Sequence, residues 1–220
     1  MTIRRLCLAP ASAVVAVLIL GFSATVAAQA TPQEQFIDEL IHKAIKVLEL
    51  PLEASTEREA RFRALLNQNF DMPTIIRLVL GRHWRTATPR QKARFAQVFR
   101  THLVRVYTAQ LGVYEGEIME IEKSVAISKK DTVIYTLVVH DKENVVENAV
   151  KGVEVAPLRV DWRVRKTDDG LKVIDVAAEG VSLLTTKRSE FTSLVAREGV
   201  EALIGKLEDM NVESDRATDS

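Results

Sequence analysis

The residues able to do chemistry are few and scattered. His42, His83, His102 and His140 are the four histidines, and they lie far apart. None pairs at the H-x-x-x-H or H-E-x-x-H spacing that sets two imidazoles on one helix face around a metal ion. No G-x-S-x-G elbow presents a serine nucleophile, and the nine glycines are dispersed rather than gathered into a phosphate-cradling loop. Asp175, in a β-rich stretch, is followed by Glu179; an ion pair or a turn cap explains them more simply than acid–base work. One buried carboxylate in a cone-shaped pocket suffices for isomerase-type proton transfer. A ketosteroid-isomerase-like pocket enzyme is therefore the competing class, while the leading expectation is a protein with no catalytic residue, no cofactor and no metal.

Charge is where the sequence departs from the ordinary. The segment "GRHWRTATPRQKARF", residues 81–95, holds Arg82, Arg85, Arg90, Lys92 and Arg94 with Trp84 and Phe95 and no acid. The acid-free run extends from Met72 to Tyr114 and carries eight Lys/Arg, although the whole chain balances at 30 basic against 30 acidic residues. An unbalanced basic stretch attracts an anion: nucleic acid, an acidic protein surface or a lipid headgroup.

The N-terminus narrows that choice. Residues 1–30 contain Arg4 and Arg5, no acid, an apolar run around "AVVAVLIL" and small residues ending in "ATVAAQA". This is the layout of a secretory signal peptide, with cleavage near Ala28 or Ala30. The run is interrupted by Gly21 and Ser23 and is shorter than the roughly 20 residues a membrane anchor needs. Cys7, the lone cysteine, lies inside the leader, so the mature chain has no disulfide, thiolate ligand or cysteine nucleophile. The remaining residues, about 190, are enough to bury a core without one. Removing the leader leaves 28 basic and 30 acidic residues. Export and near-neutrality argue against nucleic acid as partner.

The elements that must position any site follow in order. Thr31, Pro32 and Glu34 open a helix with a capping box, and Phe36, Ile37, Leu40, Ile41, Ala44, Ile45 and Leu48 recur at helical spacing until Pro51. A second helix is expected from Thr56, boxed with Glu59. Asp71 caps a third, ended by Gly81, and Thr88 caps a long fourth to about Leu111. That fourth helix carries the stripe Phe95, Val98, Phe99, Leu103, Val106 and Tyr107, with Arg90, Arg94 and Arg105 opposite. After Glu115 the pattern turns β-rich: a weak strand in "GEIMEIEKSVAI", then "TVIYTLVVH", then the strictly alternating "LRVDWRVR", a "TDDG" hairpin turn and "LKVIDV". Helical spacing returns after Ser182 through Phe191, Leu194, Val195, Val200, Leu203, Ile204 and Leu207. The expected fold is α+β: an antiparallel sheet of about four strands against a mostly helical N-terminal half and C-terminal helices. The division is a leader over 1–30, one domain over 31–210 and a flexible polar tail over 211–220.

Two blocks of this sequence are similar to the MlaC family of periplasmic phospholipid-binding, or toluene-tolerance, proteins. The first comprises Phe70-Asp71, Leu80-Gly81-x-x-Trp84, Thr88-x-x-Gln91, Arg94-Phe95, Phe99, Tyr107, Leu111 and Tyr114-x-Gly116. The second comprises Asp175-Val176, Glu179-Gly180-Val181-Ser182-Leu183 and Arg188-Ser189-x-Phe191. "GVEALIGKL" (199–207) is similar to the family's closing helix. Leu171 stands where the family usually has Trp, and Thr186-Lys187 where it has Asn-Tyr, which leaves the ligand open between a phospholipid and a hopanoid or other terpenoid.

The resemblance implies a periplasmic lipid carrier, not an enzyme. It would hold acyl chains in an apolar cavity between sheet and helices. It would pass lipid between an inner-membrane ABC transporter complex and an outer-membrane lipoprotein complex. Candidate cavity residues are Val133, Tyr135, Leu137, Val139, Val160 and Trp162 from the strands, with Ile76, Leu80, Phe99, Leu103 and Tyr107 from the helices. Arg90, Arg94 and Arg105 are candidates for meeting headgroups or an acidic docking partner. Gly180 is expected at an unusual backbone angle and Ser182 as the cap of the following helix.

Overall fold

A computed structural model describes residues 29–110, 116–140 and 156–218. The leader expected over residues 1–30 lies almost wholly outside them, as do Leu111 and Tyr114. Helix α1 spans Pro32–Leu48. Its capping box forms as the sequence indicates: Thr31 Oγ1 accepts from the Glu34 N–H at 3.2 Å, and Glu34 accepts from the Thr31 N–H at 2.7 Å. A 3-10 turn, Leu52–Ala54, leads into α2, Ser55–Asn69. The Thr56–Glu59 box does not form, because the helix already starts at Ser55, placing Thr56 within its first turn. Helix α3, Met72–Leu80, is capped by Asp71, whose carboxylate accepts from the Thr74 N–H at 3.0 Å. A short α4, His83–Thr86, precedes α5, Pro89–Gln110.

Strands β1 (Glu117–Ala126), β2 (Asp131–His140), β3 (Leu158–Thr167), β4 (Gly170–Ala178) and the two-residue β5 (Val181–Ser182) form one five-stranded sheet in sequence order. Every pairing is antiparallel, and β5 is the strand the sequence did not announce. The last helix, α6, runs Leu183–Thr218 and breaks at Gly199, whose φ of 89° and ψ of 167° suit glycine alone. It reaches Thr218, within the segment read as a flexible tail. Asn211, in that segment, is buried, and its amide donates to the Val98 carbonyl of α5 at 3.2 Å. No helix among the described residues is long and apolar enough to cross a membrane.

The interior divides into two apolar clusters. One is purely helical and joins α3, α5 and α6 through Met72, Ile76, Leu80, Phe95, Phe99, Phe191, Leu203 and Ile204. The other joins α1 and α2 to the sheet through Ile37, Leu40, Ile41, Leu65, Ile134, Val164 and Val173. Phe70, between α2 and α3, packs against both. It is anchored by a bridge to Val173 of β4, where the Asp71 N–H donates to the Val173 carbonyl at 3.0 Å.

Candidate functional site

The register decides which strand residues face the helices. Ile134 lies opposite Trp162, and Thr136 opposite Val160; Trp162 in turn faces Val176, and Val160 faces Ala178. On the other side Met119 meets Val138 and Ile121 meets Thr136. Side chains alternate along a strand, so these residues share the face packed against α1. Named across the strands, it reads Met119, Ile121, Ser124; Thr132, Ile134, Thr136, Val138; Leu158, Val160, Trp162, Val164; Val173, Val176, Ala178. None of these carries a charge, though the same alternation puts Glu117 at one end of the face and Lys166 at the other.

Val133, Tyr135 and Leu137 pair with Arg163, Asp161 and Arg159, and Val139 with Ile118. They occupy the opposite, charge-bearing face and do not line the space between sheet and α1, contrary to the sequence expectation. The β2 segment is apolar at both parities, so alternation alone does not pick a face; the β3 register does. Val160 and Trp162 lie on the inner face. Thr136, absent from the sequence candidates, is fully buried. Its Oγ1 donates to the Val160 carbonyl at 2.6 Å and accepts from the Trp162 indole N–H at 3.1 Å. Both polar groups are thereby satisfied within an apolar wall.

Among the described residues, full burial on the inner face is confined to one end. Ile134, Val164 and Val173, toward the β3–β4 hairpin, are fully buried under α1. Met119, Val138, Val160, Trp162 and Val176, toward the opposite end, are only half-buried. That half-buried end is where β1 begins, just after α5 ends, and where β4 and β5 deliver the chain into α6. Leu103 and Tyr107 are half-buried on the C-terminal half of α5, Leu103 packing against the helical cluster. Burial raises the Tyr107 hydroxyl's pKa, with a further push from Glu190 of α6. His102, a turn earlier, is held below its ordinary pKa by burial and then by Lys187. Ile76, Leu80 and Phe99 are instead sealed inside the helical cluster at 0–2% exposure. Their role is packing, and they leave the list of candidate wall residues.

Of the carboxyl groups with displaced pKa values, Asp131 and Asp161 lie away from this inner face and Glu34 touches it at Ser124. Hydrogen bonds from Arg165, then Arg163, hold Asp131 down at about 2. Burial raises Asp161, which sits beside Arg159 at 3.4 Å on the charge-bearing face. Glu34, on α1, is lowered by its hydrogen bond from Ser124 of β1. No group of His, Cys, Asp or Glu among the described residues has the geometry to hold a metal ion.

The basic stretch has a different role from the one its composition suggests. Arg94 donates from Nε and Nη2 to the two carboxylate oxygens of Glu208 at 2.8 and 2.6 Å, and from Nη1 to Glu201. Arg105 donates to the Asn211 carbonyl. Both arginines tie α5 to α6 and are not a free solvent face, a correction that helix-wheel reasoning had no means to make, since their partners lie over a hundred residues away. Arg90 is exposed, as are Arg77, Arg82 and Arg85. Lys92 caps the Trp84 ring at 5.4 Å.

The remaining motif residues are architectural too. Asp175 accepts from the Ser182 hydroxyl at 2.6 Å and the Leu184 N–H at 3.1 Å, and Ser182 accepts from the Thr185 N–H at 3.0 Å, so the pair caps α6. Glu179, with a φ of 48°, accepts from the Arg159 N–H at 2.6 Å, and Gly180 follows at φ 76°. The two motif blocks meet at Gly81: a Cβ there would stand 3.2 Å from Arg188 Nε.

A helix-backed antiparallel sheet of this kind places the chain in a known structural class. It is similar to the solved phospholipid-binding protein of Ralstonia solanacearum, determined in complex with a phospholipid. The TM-score is 0.66 with 21% identity, over 82% of this chain and 97% of that one. Residues 34–209 match the profile of the MlaC protein family. The chain belongs to the MlaC family. Among curated relatives it is 22% identical over 132 residues to the intermembrane phospholipid transport system binding protein MlaC of Haemophilus influenzae, covering 59% of this chain. The match spans 57% of that relative's length.

Proposed function

We propose that the protein is a lipid carrier that receives phospholipid acyl chains at the open end of the sheet's inner face. The carrying observation is that face itself: between Glu117 at one end and Lys166 at the other its described residues carry no charge, and they are fully buried at the hairpin end and half-buried where β4 leads toward α6. The proposed wall is Met119, Ile121, Val138, Val160, Trp162 and Val176 with Leu103 and Tyr107. A relative named for intermembrane phospholipid transport and a similar fold solved with phospholipid bound support the ligand class.

Energetics favour a carrier over a catalyst. A two-chain lipid has roughly 30 methylenes, each worth about 0.8 kcal/mol out of water, so the chains are never free in solution. A cavity that matches the bilayer exchanges lipid at little net cost, and direction is then set by docking. An inner-membrane ABC transporter complex and an outer-membrane lipoprotein complex are the proposed donors and acceptors, in the periplasm, after removal of the leader. Exposed Arg90 remains the basic-stretch candidate for contact with them.

Solvent extraction of purified protein followed by mass spectrometry tests the reading. Phospholipid should co-purify, and Val138→Trp, which fills the open end, should lower its amount several-fold while the fold persists. Protein that is empty and takes up no lipid from vesicles would refute carriage.

A further inference from the structure

The end of the sheet opposite the opening carries a built basic surface that the carrier reading does not use. There the β1–β2 turn and the β3–β4 turn stand side by side around a depression of about 670 Å³ lined by Ser128, Lys129, Lys130, Asp131, Arg165, Lys166, Thr167 and Asp168. The Lys166 N–H donates to the Lys130 carbonyl at 2.8 Å, which locks the two turns together. Asp131 is 3% exposed and lies beneath two guanidiniums. Arg165 grips it through Nε and Nη2 at 2.7 Å each, and Arg163 through Nη2 at 2.6 Å. One carboxylate thus holds two arginines in fixed orientation, with an Nη1 group on each left over. Lys129, Lys130 and Lys166 are exposed and form no ion pair among the described residues. Asp168 and Asp169 offset part of this charge, and the excess remains positive.

The apolar residues at this end discriminate between anionic partners. Ile127, at the tip of the β1–β2 turn beside the lysines, is 51% exposed, and Val125 on the same edge strand is 41% exposed. An aliphatic side chain protruding among lysines fits a surface that offers anionic headgroups outside and hydrocarbon just beneath. Oriented guanidiniums favour phosphate, which they meet with paired N–H donors.

We propose that these paired turns, through Lys129, Lys130, Lys166 and the Arg163–Arg165 pair with Ile127 at the tip, dock the protein on an anionic phospholipid bilayer surface. This contact lies at the far end of the sheet from the lipid opening. It holds the carrier at a membrane with its opening turned away from the bilayer and toward a partner, so it is a tether and not the route of transfer. The inference goes beyond the carrier function and does not require an occupied interior.

Flotation of the full mature protein with phosphatidylcholine vesicles, with and without phosphatidylglycerol, tests it. Binding is expected only to the anionic vesicles and should fade as salt is raised. Lys129→Glu/Lys130→Glu/Lys166→Glu should weaken it by about tenfold or more, since each basic residue near the surface contributes a several-fold factor. Ile127→Asp should weaken it without changing thermal stability. All these positions are exposed turn sites, and circular dichroism melts confirm that the variants fold. Lipid extracted from the same samples keeps the two readings apart, because the triple variant should keep its co-purified lipid. Equal binding to neutral and anionic vesicles, or undiminished binding of the triple variant, would overturn the proposal. So would capture by an acidic peptide surface with no vesicle binding.

Discussion

The helical cluster and the sheet-facing cluster are built from similar aliphatic and aromatic residues, yet they are buried to different extents. In the helical cluster Phe95 and Phe99 stack with centroids 5.6 Å apart, and Phe191 meets both rings edge-on at 6.0 and 5.6 Å. Ion pairs from Arg94 to Glu201 and Glu208 cover the seam between α5 and α6. In the sheet-facing cluster full burial stops near Ile134, and Trp162 and Val176 keep accessible surface. The difference bears on the proposed division of labour, in which the helices supply a frame and the half-buried part of the sheet supplies room.

The largest test of that division is Phe99→Ala. Removing one ring from the stacked trio should cost about 3–5 kcal/mol in denaturant unfolding; a small loss would mean the helical cluster is not the frame. Next comes a paired substitution on β2. Val138→Asp places a charge on the uncharged inner face and should cost about 2 kcal/mol or more together with the bound lipid. Leu137→Asp, one residue away and opposite Arg159, should cost under about 1 kcal/mol. Equal effects of the two would undo the assignment of faces.

Gly199→Ala probes the break in α6 and should cost about 1–3 kcal/mol, because its backbone angles exclude a Cβ. Asp131 gives a pH signature. Its folded pKa of about 2 lies below the ordinary 3.8, so its stabilisation is complete above about pH 4 and is lost as pH falls toward about 2. Asp131→Asn should remove about 1–2 kcal/mol at neutral pH, the guanidiniums staying partly solvated. It should also flatten that part of the acid-unfolding curve. The smallest effect is expected for Arg94→Ala: a slight loss of stability that vanishes in high salt, since the pair is exposed.

Local rules were enough to read much of this from the sequence. Capping at Thr31, Asp71 and Thr88 and the strict alternation of Leu158 to Val164 are signals carried by neighbouring residues, and the structure follows them. What escaped the reading was non-local. The face of β2 is set by its register with Trp162, which an all-apolar strand does not encode by itself. Arg94 looked free because Glu201 and Glu208 reach it only after α6 folds back. Thr136 went unread because its hydroxyl partners belong to another strand. The motif blocks were legible as a pattern and Ser182 as a cap, while the Asp175–Ser182 hydrogen bond and close contacts such as Gly81 against Arg188 required three dimensions.

The placement of the two tryptophans has a practical consequence. Trp162 sits in the inner face, half-buried, with its indole N–H fixed on Thr136, while Trp84 lies under Lys92 on the distant basic corner. With Trp84→Phe the remaining indole becomes an intrinsic fluorophore within the site. Its emission should move to shorter wavelength when acyl chains replace water beside it, so occupancy can be followed in real time without a label.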